Sequence, residues 1–305
     1  DALAYVSSAA ELDVTVDNTN GLAIVEGTPA IDVNQQISLA RDLTSSDTND
    51  NASDFVADPS PSPGVANQPV NTTVTSVTPN NGLASVATPG VVIAGTDIAF
   101  NAVVTLAGVA IPTAQCSYLN ITTQIVCTAQ VSPAALRGDV VVQNPVDRGG
   151  TSGTLANGWT YTGVLNETDL AGEADFCNLQ FPPATTVQTG QNTELIYGRV
   201  YEAGLTEPGG ADPTVIAELG YGPTATDPTV TAGWSFVAAT FNTQIGNDDE
   251  YQASITAPAA GTYAYTYRFS LDDGINFTYC DLDGAGSNSG LTFDPAQLGV
   301  MTVTP

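Results

Sequence analysis

The chain has 305 residues and a formal charge of −27, set by 32 acidic residues against five arginines, with no lysine and no histidine. That inventory excludes a Ser-His-Asp or Cys-His nucleophile pair, an imidazole general base, a His-ligated zinc, a lysine Schiff base and a P-loop lysine. Five arginines offer no basic surface for phosphates, so no nucleic acid is expected as a partner.

Charged residues are only 12% of the chain and hydrophobic ones 42%, with many Val, Thr, Ile and Tyr, which is sheet chemistry rather than that of an acidic disordered tail. Nineteen prolines and 29 glycines suit short strands joined by tight turns. No apolar run approaches the roughly 18 residues that span a bilayer, so no membrane insertion is expected. The start lacks the basic, apolar pattern of a signal peptide, and Asp1 is expected to be the first residue left after processing.

Residues 1–67 form the first expected module. Leu12, Val14 and Val16 alternate with Asp13, Thr15 and Asp17, the pattern of a strand with one apolar face. Ile37 to Arg41 is a second run, followed by the polar stretch Ser45 to Asn51 and then by Asp58-Pro-Ser-Pro-Ser-Pro-Gly64, a stiff extended connector. The stretches Ile37-Ser-Leu-Ala-Arg41, Asp47-Thr-Asn-Asp-Asn-Ala-Ser-Asp-Phe55 and Pro61-Ser-Pro-Gly64 resemble the closing part of a bacterial lamin-tail domain, an Ig-like sandwich. The earlier strands of such a domain have no counterpart, which implies a processed piece or completion by another copy. An Ig-like domain short of strands exposes a sheet edge, and Leu12, Val14 and Val16 are the candidate strand donor to it.

Residues 68–163 form the second module. Val74 to Pro79, Gly90 to Ala94, Val103 to Leu106, Ile125 to Thr128, Gly138 to Gln143 and Trp159 to Thr162 read as short strands separated by turn residues, the spacing of a sandwich. The order Val77-Thr-Pro79, Gly82, Gly90-Val-Val-Ile-Ala-Gly-Thr96, Cys116, Ile125-Val-Cys127, Val140 to Gln143 and Trp159-Thr-Tyr161 resembles an IPT/TIG domain. That resemblance implies an immunoglobulin-like fold found in surface receptors, adhesins and accessory modules of secreted enzymes, with no catalytic residues. The segment Asn80 to Thr88 departs from it, being longer and less glycine-dense than the usual start.

Residues 164–305 form the third module. In Gly261-Thr-Tyr-Ala-Tyr-Thr-Tyr-Arg-Phe269, Tyr263, Tyr265, Tyr267 and Phe269 fall on one strand face and Ala264, Thr266 and Arg268 on the other. Four rings in line favour a sandwich core over an exposed platform, because an exposed row would invite aggregation. Phe176-Cys-Asn-Leu-Gln-Phe-Pro-Pro183, Ile196-Tyr-Gly-Arg-Val-Tyr201, Asn247-Asp-Asp-Glu-Tyr251 and Tyr279-Cys-Asp-Leu-Asp-Gly284 resemble β-sandwich repeats near the ends of large secreted bacterial proteins. The expected fold is therefore all-β, as tandem Ig-like β-sandwich modules.

The four cysteines contain no Cys-x-x-Cys unit, and their even number favours an oxidising, secreted or cell-surface location. Cys116–Cys127 with Cys177–Cys280 is the most economical of three connectivities. Asn-x-Ser/Thr sequons begin at Asn51, Asn71, Asn120, Asn166 and Asn276 and are permissive for glycans. Acidic clusters are the candidates for site chemistry: Asp248 and Asp249 beside Glu250, Asp272 with Asp273, and Asp281 with Asp283. Hard oxygen ligands at this spacing suit Ca²⁺, although none completes an EF-hand loop, and Asp or Asn in turns also bonds its own backbone. The Asp47, Asn49, Asp50 loop is a weaker candidate of the same kind.

Paired carboxylates for glycoside hydrolysis are the one common hydrolytic chemistry left, and nothing singles out an acid and a base in one cleft. The expectation is a non-catalytic extracellular structural or adhesive protein, self-associating into a filament or coat through sandwich contacts and strand addition. The alternative is a polysaccharide-binding or spacer region of a larger secreted hydrolase. Trp159, Trp234, Tyr221 and Tyr251 gathered on one flat surface would favour the alternative, and their burial would favour assembly.

Overall fold

The computed structural model describes residues 5–6, 28, 30–31, 38–41, 47–58, 71–99, 101–120, 122–145, 150–165, 172–283 and 293–305. Leu12, Val14 and Val16, the candidate strand donor, lie outside the described residues, as does most of the proline connector. The protein is all-β, built of β-sandwich sheets, and divides into two compact units. One comprises Asp1–Asn80, Thr88–Gln130 and Arg137–Trp159, and the other Asn81–Ala87, Val131–Leu136 and Thr160–Pro305.

In the first unit, β1 (Tyr5–Val6) and β2 (Ala30–Ile31) pair in parallel, and β3 (Ser38–Arg41) pairs antiparallel with β4 (Phe55–Asp58). The single-turn helix α1 (Asn51–Asp54) starts at Asp50, whose carboxylate accepts from the Ala52 N–H. Four antiparallel strands follow in the order β10 (Cys116–Asn120), β11 (Thr122–Ala129), β7 (Thr88–Ile98) and β5 (Thr73–Thr78). The short strand β6 (Asn81–Leu83) belongs to the second unit. The other layer has β13 (Ser152–Val164) beside β12 (Leu136–Gln143), then β8 (Val103–Leu106) and β9 (Val109–Ile111).

The two-residue period of these strands selects the core. Val91 and Ile93 on β7, Ile125 and Cys127 on β11, Val104 and Leu106 on β8, and Val140 and Val142 on β12 are all buried, as is Trp159. Cys116 and Cys127 stand directly opposite each other in the β10–β11 ladder and are disulfide-bonded, with Cα atoms 4.1 Å apart. Buried Asn144 ties three segments: its Oδ1 accepts from the Ala99 N–H (2.9 Å), and its Nδ2 donates to Thr72 Oγ1 (2.6 Å) and the Asp97 carbonyl (2.8 Å).

The second unit carries two larger sheets. The first runs β14 (Phe176–Phe181), β16 (Ile196–Tyr201), β20 (Asp248–Ala253), β19 (Thr240–Ile245), all antiparallel. The second is centred on β21 (Gly261–Ser270), flanked by β23 (Gly299–Thr304) and β17 (Ile216–Pro223). Strand β15 (Ala184–Gln188) lies parallel to β23, and β18 (Ser235–Ala238) is antiparallel to β17. Strand β22 (Asn276–Tyr279) pairs with the end of β21 and, in parallel, with the end of β13.

The aromatic row of β21 faces the core. Tyr265, Tyr267 and Phe269 are fully buried among Leu179, Ile196, Val200, Leu219 and Met301, and each ring so placed contributes about 1.5–3 kcal/mol. Their hydroxyls are spent inside: Tyr267 donates to the Ile196 carbonyl (2.7 Å) and Tyr265 to that of Pro182 (2.5 Å). The Cys177–Cys280 disulfide, with Cα atoms 5.4 Å apart, joins this core cluster.

The opposite face of β21 is buried too, where Ala264, Thr266 and Arg268 are no more than 6% exposed. Phe236 and Trp234 of the β17–β18 hairpin lie flat over Gly220 and Gly222, where a Cβ would come within 2.2 and 2.5 Å of the respective rings. The Arg268 guanidinium is held between Phe236 and Phe277, 3.6 and 3.8 Å from the ring centroids, and its Nε donates to Glu218 (2.7 Å). The aromatic cover of this face is thus occupied by the protein itself.

Candidate functional site

The outer face of the β14–β16–β20–β19 sheet is built differently. Strand β16 turns Ile196, Gly198 and Val200 inward and leaves Tyr197, Arg199 and Tyr201 half-buried on the other side. Strand β14 likewise turns Cys177 and Leu179 inward, with Asn178 and Gln180 outward. Directly opposed residues of an antiparallel pair share a face, so the register assembles rows across the sheet. One row is Phe181, Tyr197, Gln252 and Thr240; the next is Asn178, Arg199, Glu250 and Thr243; the third begins with Phe176 and Tyr201. An irregularity between Leu179 and Phe181 brings Phe181 opposite Tyr197. Phe181 is 56% exposed.

The middle row is polar and closely held. Asn242, at the irregularity in β19, donates to Glu250 Oε1 (2.6 Å), and Arg199 lies 3.6 Å from Asp248. Asn178 Oδ1, Gln180 Oε1 and Arg199 Nε are buried with no hydrogen-bond partner among the described residues. At the far end, Tyr201 donates to Glu207 Oε1 (3.2 Å), and Glu207 Oε2 accepts from the Gly204 N–H (2.6 Å). Burial, then the bond to Glu207, raises the Tyr201 phenol above its ordinary range, so it stays a donor at neutral pH. The face therefore offers flat rings at its edges and, between them, amide, guanidinium and carboxylate groups of both hydrogen-bonding senses.

The six candidate calcium ligands are spread through this unit. Asp248 belongs to the outer face and pairs with Arg199, whereas Asp249 points inward and is fully buried, with neither carboxylate oxygen hydrogen-bonded. Burial, then the charges of Asp212 and Asp248, pushes Asp249 up to about 6. Asp272 accepts from Ser270 Oγ and from the backbone and side-chain nitrogens of Asn276 (2.7–2.9 Å), while Asp273 occupies a turn at φ 62°. Asp281 accepts from the backbone N–H groups of Asp283 (2.8 Å) and Asp294 (2.6 Å). Among the described residues, no three His, Cys, Asp or Glu side chains converge to hold a metal. In the Asp47 to Asp50 loop, Asp54 accepts from Thr48 N and Oγ1, and Arg41 lies 3.7 and 3.8 Å from Asp47 and Asp54.

The four aromatics named from the sequence do not gather. Trp159 and Tyr251 are buried, Tyr221 packs edge-on against Tyr263, and Trp234 stacks with Phe236 and donates from Nε1 to Thr226. The rings presented together are Phe181, Tyr197 and Tyr201. Alternation in β16 is the signal for Tyr197 and Tyr201, whereas Phe181 joins them through the irregularity in β14.

No family model matches the chain. Two curated proteins align with part of it: an amylopullulanase of Thermoanaerobacterium thermosulfurigenes, 35% identical over 96 residues, and one of Thermoanaerobacter thermohydrosulfuricus, 32% identical over 103. The alignments cover 27% and 29% of this chain but only 5% and 7% of those enzymes. Among solved structures, a gamma-CGTase from alkalophilic Bacillus clarkii matches 79% of the chain and 28% of its own, at 12% identity and a TM-score of 0.26. The protein SGBP-B of a Bacteroides ovatus mixed-linkage glucan utilization locus, solved with a mixed-linkage heptasaccharide, matches 73% of the chain and 43% of its own, at 14% identity and a TM-score of 0.21. TM-scores below 0.5 give these two likenesses no functional weight. Among the described residues, no helix is long and apolar enough to cross a membrane.

Proposed function

We propose that this chain is a non-catalytic accessory region of a larger secreted polysaccharide hydrolase, and that it binds polysaccharide. The observation that carries the reading is the pair of local alignments: 27% and 29% of the chain aligns with two enzymes named amylopullulanase while spanning only 5% and 7% of their length. A segment that small is an accessory part of such an enzyme, and a chain without histidine or lysine suits an accessory role. Two disulfides favour an oxidising, extracellular setting. Within this reading the modules divide near residues 67 and 163, with residues 68–163 as an IPT/TIG-like spacer following the lamin-tail-like segment.

Affinity electrophoresis of the purified chain through gels containing pullulan, soluble starch or mixed-linkage β-glucan tests the proposal, with reducing-sugar release assayed in parallel. Retardation by at least one neutral polysaccharide without hydrolysis is expected. Unretarded migration in every gel overturns it, and ordered filaments in electron micrographs of the same material would put a self-associating structural subunit in its place.

A further inference from the structure

We infer that the outer face of the β14–β16–β20–β19 sheet is the surface that takes a neutral polysaccharide chain, with Phe181, Tyr197 and Tyr201 stacking on sugar rings and the row between them bonding hydroxyls. The inference rests on the polysaccharide-binding reading above and assigns it a place. A pyranose presents apolar C–H faces and a rim of hydroxyls that both donate and accept. Its complement is a flat ring beside amides and carboxylates, which is the composition of this face.

Phe181 and Tyr197 sit on neighbouring strands, about 5 Å apart along the hydrogen-bonding direction, and Tyr201 lies four residues along β16, about 13 Å from Tyr197. Asn178, Gln180, Arg199 and Glu250 belong to the strip between these rings. Three buried polar atoms there, Asn178 Oδ1, Gln180 Oε1 and Arg199 Nε, lack a protein partner, and a buried polar group left unpaired is costly until something bonds it. The side chains that carry them are only half-buried, and a rotation that uncovers these atoms lets a sugar hydroxyl donate to the two oxygens and accept from the Nε–H.

Charge narrows the ligand class. Asp248 already faces Arg199, Glu250 adds a second carboxylate, and the chain carries −27 overall, so a polyanion such as a uronate or sulfated glycan is repelled. A protein partner would need an apolar, desolvated centre, whereas here the centre of the face is the polar part and the rings flank it. The other aromatic surface of the unit is closed by contrast, since Trp234 and Phe236 rest on glycine backbone and Arg268 fills the space between Phe236 and Phe277.

The test uses the whole chain in the same gels, with pullulan, soluble starch and mixed-linkage β-glucan as probes. Phe181→Ala and Tyr197→Ala are the variants, and Leu119→Ala, an equally exposed apolar residue of the first unit, is the control. Near-UV circular dichroism checks the fold of each. Each face variant should weaken binding by about fivefold to tenfold, as expected for the loss of one stacking contact, with the control unchanged. Wild-type retardation matched by both variants overturns the assignment and leaves the accessory reading standing; a wild type that binds none of the three polysaccharides removes both. Hydrogen exchange with and without pullulan covers the case in which a variant misfolds. Protection confined to Phe176–Phe181, Ile196–Tyr201 and Asp248–Ala253 is expected, and protection elsewhere in the chain refutes the inference.

Discussion

Replacing both cysteines of the Cys177–Cys280 bridge by alanine tests how the second unit is held together. The bridge closes a loop of sequence separation 103, for which the chain-entropy relation ΔS ≈ −2.1 − 1.5R ln n gives about −16 cal/mol/K, or about 4.7 kcal/mol at 25 °C. Both cysteines are buried in the core cluster, so removing two sulfur atoms adds a cavity cost of about 1 kcal/mol. The same relation gives only about 3 kcal/mol for Cys116–Cys127, whose separation is 11. The chain has two tryptophans, Trp159 in the first unit and Trp234 in the second. A Trp159→Phe background therefore reports on the second unit, and a Trp234→Phe background on the first. Guanidinium titrations followed by fluorescence should show the C177A/C280A pair lowering the Trp234 transition by about 6 kcal/mol while leaving that of Trp159 in place. The C116A/C127A pair should lower the Trp159 transition by about 3 kcal/mol. A loss below about 2 kcal/mol for the long loop, or equal losses for the two bridges, would refute the entropic reasoning. A shift of the wrong tryptophan's transition would refute the division into two units.

Two further outcomes follow from buried charges. Arg268→Ala should destabilise the second unit by about 3–5 kcal/mol, because it strands Glu218 and leaves a gap between Phe236 and Phe277, with Arg268→Lys intermediate for want of the planar fork. A midpoint change in urea corresponding to less than about 1 kcal/mol for the alanine variant would contradict this. Asp249 has its folded pKa raised to about 6 from an ordinary 3.8, so the stability it contributes is fully present in acid and is lost as pH rises through about 6. Between pH 4.5 and 7.5 the wild-type denaturation midpoint should fall and that of Asp249→Asn should stay flatter; equal slopes would show that another group is responsible.

Much of the architecture was readable from alternation and turn residues alone. The run Tyr263, Tyr265, Tyr267, Phe269 announced a core strand, and the six runs expected between Val74 and Thr162 fall within β5, β7, β8, β11, β12 and β13, apart from Pro79, which follows the end of β5. Short strands β6, β9 and β10 were missed, since three to five residues carry little periodicity. The burial of Ala264, Thr266 and Arg268 was also illegible, because it depends on which strand neighbours β21 and on two glycines of β17 that admit rings from β18. Asp248 and Asp249 do not share a face, for a physical reason. Adjacency in sequence places successive side chains on opposite faces of a strand, so Asp248 and Asp249 part company as soon as β20 forms. The candidate face needed the reverse inference, from residues far apart in sequence, and its register turns on an irregularity near Gln180 that no local pattern reveals.

The proposed role and the character of this face constrain each other. Residues on paired strands are held at fixed spacings by the ladder, which gives a face more precise than a loop and shallower than a cleft. A shallow face with three rings and a polar strip gives modest affinity, since each stacking contact is worth only about 0.5–1.5 kcal/mol beyond its buried area. Modest affinity is of little use to a free protein in dilute solution. In a chain joined to a hydrolase it is sufficient, because attachment converts the second encounter into an intramolecular one at an effective concentration of about millimolar. A tighter site would hinder such a protein, which must release one stretch of polymer to reach the next. Under the proposed function, a flat face, a side-chain inventory without imidazole or amine, and a local likeness to a small fraction of two enzymes would belong to one arrangement, in which grip and chemistry are assigned to different parts of a longer polypeptide.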